Sequence, residues 1–509
     1  MRIRPVMWFF WMLLLSAAAF LAACGGGGGS TSASSSVVTA SGYTEGASPF
    51  INFVQLSVSN PSQLSSIRYT IAAKENTVSK PVQVEYSLNA LINRGYATSG
   101  SGSITLPVFG LYAGYDNQVT ATLTYSDGST KNVPLTVTTS AYTDANSIYD
   151  HVSVLTKRAA GSSLGYDFVF LKSTLGTPVV IDTDGEVRWV AKGVDNGMSS
   201  IFYDNSFIIG AQQTSTIQRL ELDGTITTSA LNSSVYTNFF HNIDPGKQGL
   251  LADLDGTLNG VAMTESSIVE ITPTGDIIKD WPFATIIANY MTSQGDDPST
   301  FVRSDADWFH SNAAVYDPSD DTVIVSSREN FLIKVDYQTG DIVWIFGDPT
   351  KYWYTFPSLR AKALTLTGGG LYPIGQHAPS ITSDGLLMIF NNGAPSLNQP
   401  DGAAVGETLT YSAVSTYAID KSAGTATEKW RFDYGQSIKS AYCSSSYEAS
   451  DKSLLVDYAI VNKTDSSSAR IVGLSADHSV VFDFEYPNSG CQTSWNAKPI
   501  AFDNLVFTK

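Results

Sequence analysis

The chain has 509 residues, more than one hydrophobic core usually holds, so at least two structural units are expected. Charged residues make up only 15% and hydrophobic residues 43%, which is typical of a folded protein and excludes long disorder over most of its length. The formal net charge of −17 repels phosphate backbones and argues against a nucleic-acid partner. An anionic small substrate would need a concentrated local patch of positive charge.

The N-terminus has the pattern of a bacterial lipoprotein signal peptide. Two arginines precede an apolar stretch, and the sequence LAAC ends at Cys24. We therefore expect residues 1–23 to be a signal peptide, Cys24 to be lipidated, and residues 24–46 to be a Gly/Ser-rich tether. This predicts an exported, periplasmic, lipid-anchored protein at the outer membrane of a cell that has one. The alternative is a plain signal anchor in which Cys24 is incidental.

Two further cysteines follow, Cys443 and Cys491. In an oxidising compartment, such a pair is expected to form a disulfide. The alternative is two separate buried thiols, because spacing alone does not bring their Cα atoms together.

Residues 47–140 predict a small β-sandwich. Short runs such as SGSITLPVFGL and NQVTATLTY alternate polar and apolar residues and are separated by turns, without helical periodicity. The segment contains no histidine or cysteine. We therefore expect it to serve in packing, spacing or a dimer contact, and not in chemistry.

Residues 147–509 predict a six-bladed β-propeller, which makes the fold class all-β. A polar turn with glycine followed by alternating apolar residues recurs, as in DTDGEVRWV, TPTGDIIKDW and DYQTGDIVWIFG, and LSADHSVVFDF is a sixth, degenerate copy. Such repeats are typical of the hairpin within a propeller blade. The alternative is another large all-β fold, such as a solenoid or stacked sandwiches.

Three of the five histidines occupy a shared setting. His241, His310 and His377 each lie near the start of a predicted blade strand, about one blade length apart. Equivalent positions in successive blades face the same central channel, so the three side chains are expected to converge. His151 and His478 lie in polar turns and are interpreted as surface residues.

Three converging histidines suit either of two ligands. One is a zinc ion with an open fourth position. Arg328, on the strand that follows His310, favours the other, because a permanent cation opposes a metal ion and strengthens an anion site. The sequence therefore predicts a site for a tetrahedral oxyanion such as a sulfate or phosphate group, with no metal. A nucleotide-binding loop does not accompany it.

The segments DWFHSN, VSSRENFLIKVDYQTGDIVWIFG, FFHNIDPGKQG and GQHAP resemble those of bacterial arylsulfate sulfotransferases, and LPVFGLYAGYDNQVTATLTY resembles their N-terminal β-sandwich domain. The resemblance covers most of the chain. It implies transfer of a sulfuryl group from an aryl sulfate donor to a phenolic acceptor, without a cofactor or a nucleotide sulfate donor. It also implies a homodimer.

The resemblance assigns a role to each residue of the predicted site. His377 is expected to be the nucleophile, transiently sulfated in a ping-pong cycle. His241, His310 and Arg328 are expected to bind the sulfuryl oxygens and assist catalysis. Asn312, two residues after His310, is expected to help position the group.

Two features are not supplied by the resemblance. Glu329 departs from the expected neutral or basic residue after the arginine, which questions the local charge balance. Tyr352, Trp353 and Tyr354 are candidate walls of the acceptor pocket by composition alone.

Two other functions compete with the transferase. A lipid-anchored propeller can act as an outer-membrane scaffold or binding protein without catalysis, although such a role does not require three histidines and an arginine. A phosphatase or sulfatase would deliver the group to water, but such enzymes usually need a metal or a nucleophile in a characteristic motif, and neither is seen.

Overall fold

The computed structural model describes residues 37–462 and 467–509. The predicted signal peptide, Cys24 and the first part of the tether lie outside these residues. Within the described residues, no helix is both long and apolar enough to span a bilayer.

The N-terminal unit is a β-sandwich, as predicted. Alternating buried and exposed residues along its strands place one face of each sheet against the other. One sheet contains Val38–Glu45, Ile51–Val58 and Ser103–Phe109; the other contains Asn504–Phe507, Val82–Ser87, Leu64–Ile71, Asp116–Tyr125 and Thr130–Thr138. The short helix Leu88–Asn93 begins at Ser87, whose hydroxyl accepts from the backbone N–H of Ala90.

Six further sheets form the blades of the propeller, which confirms the predicted fold class. The strands of each blade run in order from the channel outward. Blade 1 contains Ala497–Ile500, Phe168–Leu171, Val179–Asp182 and Val187–Trp189; blade 2 contains Ser200–Tyr203, Ser206–Gly210, Thr216–Glu221 and Ile226–Ala230; blade 3 contains Thr237–Pro245, Leu250–Leu258, Val261–Ile271 and Ile277–Pro282. Blade 4 contains Ser311–Asp317, Thr322–Ser327, Leu332–Asp336 and Ile342–Phe346; blade 5 contains His377–Ile381, Leu387–Asn391, Ala413–Asp420, Thr425–Phe432 and Thr365–Thr367; blade 6 contains Ser445–Glu448, Leu454–Asn462, Ser467–Leu474, Val480–Asn488 and Ser153–Thr156.

The six repeated turn segments form the hairpins between the third and fourth strands of the six blades, as expected. Glycine is required in such turns where the backbone takes a positive φ, as Gly185 does at 93° and Gly275 at 104°. Two helices, Phe283–Ser293 and Pro357–Arg360, lie in the connections between blades.

Both ends of the chain cross the predicted domain boundaries. Val38–Glu45, predicted as tether, is a strand paired with Ile51–Val58, so the sandwich begins earlier than residue 47. Asn504–Phe507, predicted as propeller, pairs in parallel with Val82–Ser87 of the sandwich. The pairing buries Leu505 and Phe507. The partner of Asn504–Phe507 is distant in sequence and leaves no local pattern, whereas Val38–Glu45 forms a hairpin with the next strand, which the Gly/Ser-rich composition before it obscured.

The sandwich and the first two blades share one hydrophobic core. Buried Arg188 spans this contact: its guanidinium pairs with Asp182, donates to the Gly110 carbonyl at 2.7 Å and stacks on Tyr112. The propeller ring closes because the C-terminal strand Ala497–Ile500 becomes the inner strand of blade 1. This closure holds the inner strands in fixed positions around the channel.

Candidate active site

The three predicted histidines and Arg328 converge beside the inner strands of blades 3, 4 and 5. His241 lies on the inner strand of blade 3, His310 directly precedes that of blade 4, and His377 is the first residue of that of blade 5. They line a cavity of about 210 Å³. The cavity is lined by His241, His310, Arg328, Glu329, His377, Leu397, Asn398, Tyr442, Cys443 and Trp495.

Two of the histidines face carboxylates that the sequence did not reveal. The ring centroids of His241 and His310 lie 4.7 Å apart. Oε2 of Glu265 lies 2.8 Å from Nδ1 of His310 and 3.4 Å from Nδ1 of His241. Asp253 lies 3.4 Å from Nδ1 of His241, and Asp307 hydrogen-bonds to Nδ1 of His310. Each imidazole thus has two carboxylates on its Nδ1 side.

These carboxylates favour the charged form of both rings. Burial alone would lower the pKa of His310, but Glu265 and Asp307 outweigh burial and raise the pKa to about 10. Burial also opposes charge on His241, yet Glu265 and Asp253 raise its pKa above the ordinary value. His310 is therefore cationic at neutral pH, and the charged form of His241 is favoured over that of a free imidazole.

The backbone of His310 adopts a strained conformation, which Asp307 holds in place. Its φ is +50°, in the left-handed region that L-residues rarely adopt. The Asp307 carboxylate accepts both the backbone N–H of His310, at 3.1 Å, and the ring Nδ1 proton. One carboxylate therefore fixes both the backbone and the ring.

His377 has the opposite environment. Its Nδ1 lies 2.7 Å from Oδ1 of Asn392, a neutral amide, and 3.2 Å from the Gly375 carbonyl. Burial and the nearby Arg328 cation hold the pKa of His377 well below its ordinary value, and the hydrogen bond with Asn392 offsets this only in part. His377 is therefore neutral, whereas His310 is cationic.

Arg328 adds a permanent charge beside the histidines. Its backbone N–H donates to the His310 carbonyl at 3.0 Å, and its Nη1 pairs with Glu329. Its buried Nη2 has no hydrogen-bond partner among the described residues. A buried guanidinium nitrogen without an acceptor is costly, so this donor is suited to an anion in the cavity.

Glu329, the residue that departed from the expected pattern, is fully engaged in the structure. Besides Arg328, its carboxylate accepts the backbone N–H groups of Leu397 and Asn398 at 2.8 and 2.9 Å. Its charge is therefore shared between the guanidinium and a neighbouring loop. The loop residues that it holds are themselves part of the cavity wall.

The aromatic walls differ from the predicted ones. Trp353 is buried against Phe331, at a centroid distance of 5.2 Å, and neither it nor Tyr352 nor Tyr354 lines the cavity. Trp495 lies between the rings of His241 and His377, at 5.3 and 5.9 Å. Composition could not distinguish these two sets of aromatic residues, because the connection after blade 4 packs into the hydrophobic core beside that blade and away from the cavity.

Tyr442 and Leu397 complete the apolar surface. Tyr442 is 44% exposed and Leu397 63% exposed, and Arg328 lies 5.5 Å from the Tyr442 ring centroid. Cys443, next to Tyr442, is disulfide-bonded to Cys491, with Cα atoms 6.5 Å apart. The disulfide therefore anchors the segment that carries this aromatic side chain.

Asn312 does not line the cavity. It is fully buried, and its amide donates to the Gln376 carbonyl at 2.9 Å. It therefore braces the backbone before His377 across neighbouring blades, and the geometry gives it no contact with a bound group.

His151 and His478 are both exposed, as predicted, and the ring of His478 lies 4.0 Å from that of Trp430.

One set of atoms could hold a metal ion. Among the described residues, His241, Glu265 and His310 offer ligand atoms within 4.8 Å of one another. The same atoms pair as imidazolium and carboxylate, and Arg328 adds positive charge to the cavity. Those pairs and that cation favour protons over a divalent ion at these positions.

Family models and curated relatives both match this chain to arylsulfotransferases. Residues 141–496 match the family model of arylsulfotransferase (ASST), and residues 52–143 match its Ig-like domain. The arylsulfate sulfotransferase AssT of Escherichia coli O6:H1 is 26% identical over 206 residues, which is 37% of this chain and 31% of the relative. The AssT of Lelliottia amnigena is 25% identical over 206 residues, with the same coverage.

The matched segment thus spans about a third of either relative. Among solved structures, the β-propeller domain of Myceliophteria thermophila Cps50 (Swd1) aligns at 10% identity and a TM-score of 0.34, covering 67% of this chain and all of that domain. Since the two family models together account for residues 52–496 without a break, the chain belongs to the arylsulfotransferase family.

Proposed function

We propose that this protein transfers a sulfuryl group from an aryl sulfate ester to a phenol, by a ping-pong route through a sulfohistidine at His377. One observation carries the proposal: a neutral histidine shares one cavity with an arginine, the cationic His310 and His241, whose pKa is raised by carboxylates. A nucleophile and an anion-binding cradle are thereby combined. Family membership supports the choice of a sulfuryl group over a phosphoryl group.

In the first half-reaction, Nε2 of His377 attacks the sulfur and the bond from sulfur to the aryl oxygen breaks. By analogy with phosphoryl transfer, the transition state is loose and its charge lies on the equatorial and leaving oxygens. Arg328, His241 and His310 stabilise that charge with donors that are already oriented.

The leaving phenolate takes a proton from an imidazolium. The pKa of His310 is raised to about 10 by Glu265 and Asp307, against the effect of burial, and a phenol such as tyrosine has a pKa of about 10. Proton transfer between two groups of similar pKa has almost no free-energy cost. His310 is thus suited to protonate the first phenol.

In the second half-reaction, the acceptor phenol returns a proton to the imidazole and its oxygen attacks sulfur. The bond between sulfur and Nε2 then breaks, and His377 is restored. The net exchange consumes one aryl sulfate and one phenol and forms one of each, so no cofactor or nucleotide donor is consumed. Trp495 and Tyr442 offer aromatic surface for the aryl groups that enter and leave.

The test is intact-mass analysis and peptide mapping after brief exposure to 4-nitrophenyl sulfate without a phenol. We expect the mass of one sulfuryl group on the peptide that contains His377, and its loss on adding phenol. His377→Ala should show no adduct, whereas His151→Ala, at an exposed position outside the cavity, should form it normally. Absence of both the adduct and phenol-dependent nitrophenol release would overturn the transferase and leave the anchored scaffold.

We also propose that the protein is exported and anchored by a lipid on Cys24, with the outer membrane as its site. The support is the sequence LAAC after an apolar stretch and the Gly/Ser-rich segment that follows. Labelled palmitate should be incorporated into the wild-type protein and not into Cys24→Ser. Recovery of wild-type protein without lipid would contradict the anchor. The homodimer stays a prediction.

A further inference from the structure

Asn392 lies between His377 and the loop that carries the disulfide. Its Oδ1 is 2.7 Å from Nδ1 of His377, and its Nδ2 donates to the carbonyls of Ser440 and Cys443 at 2.8 and 3.0 Å. Carbonyl oxygens only accept hydrogen bonds, so the NH₂ group must face them. The hydrogen-bond network thereby orients the amide, with Oδ1 toward the imidazole.

The position of the imidazole proton follows from this orientation. Nδ1 of His377 faces two acceptors, Oδ1 of Asn392 and the Gly375 carbonyl at 3.2 Å. A deprotonated Nδ1 would place a lone pair against both oxygens, which is unfavourable in a buried site. Nδ1 therefore carries the proton, and in the neutral ring the lone pair is on Nε2.

We infer that Asn392 is a positioning residue that fixes the tautomer of His377 and so directs the Nε2 lone pair at the sulfur. This inference rests on the proposed role of His377 as the nucleophile. It also explains why the partner is an amide. A carboxylate at the same place would favour a charged ring, as Glu265 does for His310, and a protonated Nε2 cannot attack.

The charged groups near His377 act in the same direction. Arg328, His310 and His241 lie on the cavity side and oppose a second proton on the ring. Lys439, which does not line the cavity, donates to the backbone carbonyl of Asn392 at 2.8 Å. The two oxygens that face Nδ1 belong to an amide and a backbone carbonyl, neither of which carries a formal charge. They can therefore select which nitrogen keeps the proton without favouring a charged ring.

The direct test is nitrogen NMR of the mature protein in detergent, with ¹⁵N-labelled histidine. The chain has five histidines, so the His377 signals can be assigned by their loss in His377→Gln. We expect Nδ1 to be of the protonated, pyrrole type and Nε2 of the pyridine type at neutral pH. The reverse pattern, or two protonated nitrogens, would overturn the inference. This readout needs no turnover, so it stands even if sulfuryl transfer fails.

Two variants separate tautomer control from structural support. Asn392→Ala should give mixed tautomers and lower kcat by about 10–100-fold, with little change in the KM of the donor. Asn391→Ala is the matched control, because Asn391 bonds backbone groups of Ile374, Tyr372 and Gly393. It should keep the wild-type tautomer. Equal loss of kcat in both variants, or an unchanged tautomer in Asn392→Ala, would reduce Asn392 to a structural role; if neither variant folds, the wild-type tautomer decides.

Discussion

The Oε2 atom of Glu265 lies 2.8 Å from Nδ1 of His310. The same oxygen is 3.4 Å from Nδ1 of His241, so one buried carboxylate serves two imidazoles. Burial disfavours its negative charge, but the two neighbouring histidines hold the pKa of Glu265 well below its ordinary value. A carboxylate that would repel a bound anion is thus compensated by two histidines that line the cavity.

The pH dependence of kcat/KM should show a wide plateau. His377 must be neutral to attack, and burial and Arg328 hold its pKa well below the ordinary histidine value of about 6.5, so activity should persist below that pH. His310 must be cationic, and its pKa of about 10 means that activity falls as the pH rises through that value. Steady-state kinetics with an aryl sulfate donor measure this profile. An acidic limb at or above about pH 6.5 would contradict the assigned state of His377.

Replacing the shared carboxylate should affect both histidines that it contacts. Glu265→Gln removes a charge that raises the pKa of His241 and of His310, so the basic limb of the profile should move to lower pH. We expect kcat to fall by about 10²–10³-fold, the usual cost of a lost preorganised electrostatic contact. Kinetics across pH measure both effects.

The matched control is Glu85→Gln, which breaks an ion pair with Arg68 in the sandwich. It should leave the profile unchanged. A Glu265→Gln enzyme with the wild-type basic limb would show that other groups set the charge of the two rings.

Metal removal should not affect activity. His241, Glu265 and His310 are close enough to hold an ion, but their charges already compensate one another, and Arg328 opposes further positive charge. Elemental analysis of the purified protein should find no stoichiometric metal. Dialysis against a chelator should leave the rate unchanged, and recovery of a lost rate by added zinc would contradict the imidazolium interpretation.

Tyr442 should contribute to binding of the aryl group. It is 44% exposed at the cavity, and an aromatic pair is worth about 0.5–1.5 kcal/mol. Tyr442→Ala should therefore raise the KM of aryl sulfates by about 2–12-fold, and Tyr442→Phe should retain the wild-type value. Equal effects of the two substitutions would indicate that the hydroxyl, and not the ring, makes the contact.

The sequence by itself determined the class of fold and the positions of the charged groups that make the cavity cationic. The six turn segments mark six hairpins because a tight turn between antiparallel strands needs specific residues at fixed positions. His241, His310 and His377 recur about one blade length apart on or beside successive inner strands, and radial repetition brings such positions together. Local patterns were sufficient for these predictions.

Only the tertiary structure decided the chemistry of each histidine. Glu265 lies on the third strand of blade 3 and contacts His310 of the next blade. No spacing pattern in the sequence therefore predicts that these two residues pair. Asp307 lies three residues before His310, but a carboxylate in a loop is usually solvated and gives no signal alone. Burial in one cavity makes these contacts strong, because removal of water strengthens each charge pair. His310 faces a carboxylate and is cationic. His377 faces an amide and stays neutral, as the proposed nucleophile must.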